Sequence, residues 1–265
     1  MRSTSRRCSR ARWRSRASMI IEGASAALAL APLAFAGALV HGVTGFGSAL
    51  ITIPLATFFV PLPFALAVFV IVDFVNVLRL GLENPRNAVL GECARMVPLM
   101  VFGIVAGTTL LVSLPRSATL LALGVFVFGY ALYSLSGRAS LAGVDQRWAY
   151  FAGFCGGLAG TLFGAGGPPY AIYLSHRPVS KEQFRATVTL TSIFSLGLRL
   201  IAYAVTGLLA QDGVLITAAA TIPAGLAGIF IASAIFRRIS REVLMRAVGL
   251  LLLATGASLV VRALL

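Results

Sequence analysis

Apolar stretches recur along the chain, and short polar segments separate them. Each stretch approaches the ~20 residues that cross a bilayer core of ~30 Å as a helix. The uninterrupted stretches predict spans at about 64–82, 96–114, 118–136, 186–207, 214–235 and 243–262. Two further apolar stretches, 24–60 and 148–174, contain glycine-rich breaks. The pattern predicts an all-α polytopic membrane protein.

The broken stretches predict helical hairpins that return to the side they came from. Residues 148–174 are too few for two crossings, which need about 40 residues. The run 164–169 interrupts them with glycine and with Pro168 and Pro169, which lack backbone donors. Non-helical backbone at membrane depth is tolerated only where protein buries it or it lines a wet cavity. For 24–60, two short crossings remain an alternative.

Short motifs repeat at a nearly constant offset. The matches are Phe35-Ala36-Gly37 with Phe151-Ala152-Gly153, Gly45-x-Gly47-Ser48 with Gly164-x-Gly166-Gly167 at 119 residues, Phe64 with Phe184, and Leu78-Arg79-Leu80 with Leu198-Arg199-Leu200 at 120 residues. The offset predicts two transporter repeats, 20–136 and 148–265, joined by a polar linker, 137–147. Each would be a hairpin plus three transmembrane helices.

The first 19 residues form a basic extension with seven arginines and no acid up to position 18. This extension resembles a transit peptide in composition. The alternative is that Met19 is the initiator and the extension is not translated. A nucleic-acid-binding arm fits poorly ahead of a membrane domain.

Composition excludes several classes of protein. Hydrophobic residues make up 58% of the chain and charged residues 11%, and the mean hydropathy is +0.93. Soluble proteins carry about 25% charged residues. A soluble enzyme, a secreted disulfide scaffold and a nucleic-acid module are therefore poor fits. The three cysteines are scattered without metal-ligand spacing, so neither a disulfide nor a zinc site is indicated. No cofactor and no metal are expected.

Positive charge predicts the orientation of the repeats. With both broken segments re-entrant, 11 loop cations fall inside and 2 outside; with two crossings each, 5 fall inside and 8 outside. The positive-inside rule favours the first arrangement. It orients the two halves oppositely, as in inverted-repeat transporters.

The two glycine breaks are the strongest candidate site. A helix that starts after a break points unpaired N–H groups back into it, and two such ends meeting would bind an anion. Close helix packing is the structural alternative. The candidate binding residues at the breaks are Thr44, Gly45, Gly47, Ser48, Thr161, Gly164, Gly166 and Gly167.

Arg199 and Arg79 occupy matching repeat positions inside predicted spans, where a charge marks a candidate functional site. Thr187, Thr191, Ser195 and Arg199 follow one another at i+4, which predicts hydroxyls leading to a guanidinium on one helix face. In the alternative, the hydroxyls bond their own helix and the arginines reach the membrane surface.

Asp73 lies well inside a predicted span, with Asn76 a turn later. The carboxylate is interpreted as the partner of Arg79 or Arg199, or as a proton carrier that couples transport. His41, beside the first break, is either a titrating ligand or a packing residue.

A Gly-rich motif near the start of each half, with Pro54 and Pro168 following, resembles the sulfite exporter TauE/SafE-like family of permeases. Leu226-Ala227-Gly228 and Arg237-Arg238-Ile239-Ser240 are also similar to that family. The resemblance implies transport of a small anion, sulfite or an organosulfonate-type oxyanion, across the inner (plasma) membrane. Ser48, in place of a third glycine, and the adjacent Pro168-Pro169 depart from the family pattern.

The sequence therefore predicts a secondary anion transporter in the lipid bilayer, not an enzyme. An anion channel of the same fold is the main alternative, and a membrane-embedded hydrolase using Ser48 and His41 is a weaker one. A proton is the candidate coupling ion. Homodimerisation is left open, and no nucleic-acid partner is expected.

Overall fold

The computed structural model describes residues 26–83, 85–135 and 144–235, together with Leu253, Ala257 and Val261. Every regular element in these ranges is helical, which confirms the all-α prediction. The α-helices are α1 Ala26–Thr44, α2 Ser48–Ala56, α3 Leu62–Gly81, α4 Leu90–Ser113, α5 Arg116–Leu135, α6 Trp148–Phe163, α7 Gly167–Ser175, α8 Lys181–Val205 and α9 Val214–Ile235.

Five of the described helices are long and apolar enough to cross a membrane, namely α1, α3, α4, α8 and α9. The predicted spans 64–82, 96–114, 118–136, 186–207 and 214–235 coincide with α3, α4, α5, α8 and α9 within a few residues. The sixth predicted span and most of the linker lie outside the described residues, as does the basic extension.

Two helices, α4 and α8, start six and five residues earlier than hydropathy predicts, because polar residues form their first turns. Helix α8 begins at Lys181, where Ser180 and Gln183 form a reciprocal capping box. Helix α4 begins at Leu90, and Glu92 in its first turn is buried.

The second broken segment folds into a hairpin, hereafter hairpin 2, made of α6 and α7. The Tyr170 ring packs directly on Gly156, and a Cβ at Gly166 would lie 2.7 Å from the carbonyl oxygen of Gly156. Helix α7 therefore runs back along α6 instead of continuing it.

The first broken segment forms a matching hairpin, hairpin 1, made of α1 and α2. A Cβ at Gly37 would lie 2.5 Å from Thr52 Cγ2 and 3.0 Å from Ser48 Oγ. These contacts leave no room for a side chain at Gly37, so α2 lies flat against α1.

Glycine contacts fix the direction of each hairpin. In α6, Gly153 and Gly157 pack on Met96 and Met100 of α4, so the two helices run parallel. In α9, Gly228 packs on α1 between Phe35 and Leu39.

Hairpin 1 also follows a partner helix. Farther along α1, Gly42 packs on Ala232 of α9, so α1 and α9 run parallel. Each hairpin thus has one partner helix with which it makes a close, glycine-lined contact.

The two hairpins enter the bundle from opposite ends. Helix α9 runs parallel to α3, since Gly225 lies on Asn76 and Ser233 reaches Glu83. Helices α4 and α8 are close near their starts, because the Val89 amide donates to Thr187 Oγ1 at 2.9 Å. Helix α8 runs antiparallel to α3, since Gly81 packs on Ile193 and Gly197 on Phe74. We call the end where α3 finishes and α4, α6 and α8 begin the basic end. Inverted-repeat symmetry itself stays a prediction.

A buried carboxylate fastens hairpin 2 at the basic end. Glu92 is 4% exposed; it accepts a hydrogen bond from the Tyr173 hydroxyl at 2.5 Å and one from Arg177 Nε at 2.9 Å. Arg177 also donates to the carbonyl of Val144 at 3.1 Å, just before α6. A buried carboxylate held by several donors is costly to disturb, so this cluster ties the end of α7 to α4.

The α4–α6 contact predicts a glycine-specific loss of stability. Replacement of Gly153 by Ala places a methyl group against the Met96 carbonyl and should cost about 1–3 kcal/mol through overpacking. Thermal unfolding of the detergent-purified protein measures the effect. Gly129→Ala in α5 is the control, because a Cβ there meets nothing within 4 Å. Equal melting temperatures for the two variants would contradict the close packing.

Candidate functional site

Both hairpins turn at glycines whose backbone is left-handed. Gly45, Gly47 and Gly164 have φ values of 84°, 95° and 74°. Residues with a Cβ rarely adopt this conformation, so the glycines permit the turns. At the first break, the Thr44 hydroxyl accepts from the Phe46 amide at 3.2 Å and bonds the Val40 carbonyl at 2.8 Å. These bonds satisfy part of the interrupted backbone.

The tips of the two hairpins touch each other. A Cβ at Gly167 would lie 2.7 Å from Phe46 Cβ. A Cβ at Gly164 would lie 2.8 Å from Ile53 and 3.1 Å from Ala49. The two breaks are therefore in direct contact with each other, and their role as one anion site stays a prediction.

A small cavity of about 30 Å³, the central cavity, lies between the tips. Four elements line it: hairpin 1 with His41 and residues 46–50, hairpin 2 with residues 164–168 and Tyr170, α3 with Asp73, and α8 with Ser192, Ser195, Leu196 and Arg199. The first residues of α2 and of α7 both belong to the lining. Their amide groups carry the partial positive charge of a helix N-terminus.

Hydrogen bonds hold the polar lining in place. Ser48 Oγ donates to Asp73 Oδ1 at 2.7 Å, which joins hairpin 1 to α3. The Tyr170 hydroxyl donates to Ser195 Oγ at 3.2 Å, which joins hairpin 2 to α8. His41 is buried, and among the described residues its Nε2 atom has no hydrogen-bond partner.

Arg199 is the cation of the central cavity. Its side chain is 3% exposed and donates to the Gly164 carbonyl over a long 3.4 Å. The guanidinium also lies over the Tyr203 ring at 5.8 Å. Within the described part of the chain, Nε has no partner and no carboxylate forms an ion pair with it. A planar set of N–H donors therefore faces the cavity with bonding capacity to spare.

Other candidate residues of the breaks support the hairpins without lining the cavity. Gly45 packs on the backbone of Arg185, and the Thr44 hydroxyl is used by the break itself. Thr161 Oγ1 donates back to the Gly157 carbonyl at 2.8 Å. None of the three residues lines the central cavity.

The predicted hydroxyl stripe on α8 divides into two parts. Thr187 accepts from the start of α4, and Thr191 donates back to the Thr187 carbonyl at 2.8 Å. Ser195 and Arg199 reach the central cavity. Each step of four residues advances about 6 Å along the helix and turns it by about 40°, so the row passes from α4 to the central cavity.

Arg79 and Asn76 lie away from the central cavity. Arg79 pairs with Glu83 at 3.4 Å and lies over the Phe230 ring at 4.6 Å. Asn76 faces Gly225 of α9, and its amide has no hydrogen-bond partner among the described residues. The matching repeat positions of Arg79 and Arg199 therefore have different surroundings.

Sequence reasoning missed Tyr170, Ser192 and Phe46, all of which line the cavity. Tyr170 follows Pro168-Pro169 in the first turn of α7, and Gly156 leaves the space its ring occupies. Its place directly after the glycine-proline break was the sequence feature that could have identified Tyr170 as a lining residue. In the described ranges, no group of three His, Cys, Asp or Glu side chains is arranged to hold a metal ion.

Comparison with known proteins gives one match. A family model described as sulfite exporter TauE/SafE matches residues 30–259, which cover both hairpins and the cavity. No curated protein and no solved structure matches the chain significantly.

The tip contact predicts different costs for two glycines of the same conformation. Gly47→Ala should cost about 1–2 kcal/mol, the strain of a left-handed residue, because the nearest atom to its Cβ is 3.6 Å away. Gly164→Ala carries the same strain and also presses on Ile53 and Ala49. Its melting temperature in detergent should therefore fall further than that of Gly47→Ala. The reverse order would contradict the contact between the tips.

Proposed function

Because this chain belongs to the sulfite exporter TauE/SafE family, we propose that it is a secondary permease for a small sulfur oxyanion, with sulfite as the leading substrate. An organosulfonate is the alternative substrate. The central cavity is the proposed binding site, and the inner (plasma) membrane is the proposed location.

One observation carries the proposal: the starts of α2 and α7 and the guanidinium of Arg199 converge on a single buried cavity. Helix N-termini and arginine donors are the groups that bind oxyanions. Ser48, Ser195 and Tyr170 add hydroxyl groups around the same space. An oxyanion with several acceptor oxygens suits this set of donors.

The size of the cavity favours a compact substrate. A volume of about 30 Å³ corresponds to roughly one water molecule. The cavity is therefore too small for an oxyanion in this structure, and the tips must separate to admit one. A substrate without an organic tail requires the smaller separation, which is why sulfite is preferred to a sulfonate.

Transport follows from moving the two hairpins relative to each other. The site lies between elements that enter from opposite ends, so parting them at one end opens the cavity to that side. By the positive-inside rule, the basic end faces the cytoplasm. Saturable flux distinguishes this carrier from a channel of the same fold.

The Arg199 test measures uptake of radiolabelled sulfite into proteoliposomes. Arg199→Gln removes the only cation of the central cavity among the described residues and should lower uptake at least about tenfold. Arg86→Gln is the control, since Arg86 is exposed and does not line the central cavity. Wild-type uptake by Arg199→Gln would reject the site. Thermal-shift screening with sulfite, thiosulfate, sulfonates and carboxylates identifies the preferred anion.

Asp73 provides a route for coupling transport to protons. Its ionised carboxylate would repel an anion in the shared cavity, and a proton bound at Oδ1 or Oδ2 removes that repulsion. The anion and the proton then move together. An inward proton gradient should accelerate wild-type uptake and leave Asp73→Asn unaffected. A variant that keeps the full response to the gradient would exclude Asp73 as the coupling group.

A further inference from the structure

A second and much larger cavity opens at the basic end. Its volume is about 490 Å³. We call it the outer cavity because it is open to solvent, whichever side of the membrane it faces. It lies where α3 ends, between the first turns of α8 and Ser233 of α9. Lys181, Glu182 and Asn87 are exposed residues of its lining, so it communicates with solvent.

Glu83, in the lining of the outer cavity, forms two long ion pairs. Arg185 lies 3.5 Å from Glu83 Oε2, and Arg79, outside the lining, lies 3.4 Å from Glu83 Oε1. The short bond to Glu83 comes from Ser233 Oγ at 2.6 Å. Arginine–carboxylate pairs at full strength are closer than this, at ~2.7–2.9 Å. Glu83 is therefore held mainly by Ser233, and its hold on Arg185 is loose enough for another anion to replace it.

A buried hydroxyl belongs to Thr189, which is one of the residues that line the same cavity. Thr189 is 2% exposed, and its Oγ1 atom has no hydrogen-bond partner among the described residues. It lies four residues after Arg185 on α8, so both side chains project from one face of the helix. An unpaired buried hydroxyl is costly unless a ligand or water satisfies it. The lining of the cavity thus combines the guanidinium of Arg185, whose contact with Glu83 can be replaced, and the Thr189 hydroxyl, which has no hydrogen-bond partner among the described residues.

The outer cavity adjoins the central one along α8. Thr189 and Ile193 line the outer cavity, and Ser192 and Leu196 line the central cavity. Gly45, at the tip of hairpin 1, packs on Arg185 with 3.3 Å to its Cα and Cγ atoms. Arg185 therefore stands between the solvent-exposed cavity and the tip that closes the inner one.

We propose that the outer cavity is a second anion site, in which the transported oxyanion docks between Arg185 and Thr189 by displacing Glu83 from Arg185. This inference rests on the proposed function, because it assigns a second site to the same anion. Glu83 keeps Ser233 and Arg79 as partners after the exchange, so its charge stays compensated. The bound oxyanion then lies about one turn of α8 from the central cavity, since Thr189 lines the outer cavity and Ser192 lines the central one.

The difference in volume makes the two sites separable by experiment. A cavity of 490 Å³ falls in the range of small-molecule sites, ~300–1,000 Å³, and accepts an aromatic sulfonate. The central cavity, at 30 Å³, does not. 2-Naphthalenesulfonate therefore probes the outer site without entering the inner one.

The experiment measures 2-naphthalenesulfonate binding to the detergent-purified full chain by equilibrium dialysis, with sulfite as competitor. Arg185→Gln should weaken binding about tenfold, and Thr189→Val about threefold, as expected for a lost charged and a lost neutral hydrogen bond. Glu83→Gln should strengthen binding about threefold, because the competing carboxylate is gone.

Matched controls separate anion binding from folding. Gln at 185 keeps the Cβ and Cγ atoms that support Gly45, and Arg185→Lys should recover part of the affinity. Thr191→Val and Arg86→Gln should bind like wild type, since neither residue lines the cavity. Opposite shifts for Arg185→Gln and Glu83→Gln are the diagnostic result, because general damage to the fold lowers affinity in both.

Absence of binding by wild type, unchanged binding in Arg185→Gln, or weaker binding in Glu83→Gln would each overturn the outer site. Sulfite uptake by the same preparations tests the proposed function separately. If sulfite is taken up but probe binding does not depend on Arg185, the proposed permease function stands and the proposed outer site is rejected. If probe binding depends on Arg185 but no anion is taken up, the outer cavity stands as an anion site and the proposed permease function is rejected.

Discussion

The structure depends on the requirement that backbone groups at membrane depth find partners inside the protein. Two apolar stretches of this chain break their helices where the residues are mostly buried, at residues 45–47 and 164–166. They are stable because each break is buried against the other hairpin and against α8. Thr44 satisfies backbone groups of the first break, and Arg199 bonds the Gly164 carbonyl of the second. The polar cavity between the tips is the direct result, since unpaired amides at two helix starts must face something polar.

Much of this arrangement was predictable, because hydropathy and glycine position encode it locally. The helices α3, α5 and α9 follow apolar runs of the expected length, and the breaks follow glycine beside proline. The clustering of Ser48, Asp73, Ser195 and Arg199 could also be predicted in part. Charged side chains within membrane-spanning segments almost always face the interior of the bundle or a polar cavity. Repeat matching brought the two breaks together as one candidate site.

What could not be predicted depends on contacts between distant helices. The motif around Arg79 matches that around Arg199, but only the fold reveals that Glu83 and Phe230 lie beside Arg79. Thr191 has the same spacing as Ser195, yet its hydroxyl bonds its own helix. Glu83 of α3 contacts Arg185 of α8 and Ser233 of α9. These contacts depend on how the three helices pack together, which residue spacing in the sequence does not indicate.

The glycine contacts described for the fold divide the molecule into two mechanical units. Gly153 and Gly157 join hairpin 2 to α4 with almost no space between backbones, and Gly42 and Gly228 join hairpin 1 to α9 in the same way. Surfaces packed this closely resist sliding, because any shift drives backbone atoms together. Each hairpin is therefore held rigidly against its partner helix. Parting of the hairpins in the proposed transport cycle would break the tip contacts of Gly164 and Gly167 with side chains such as Phe46 and Ile53 before it strained either glycine-lined contact.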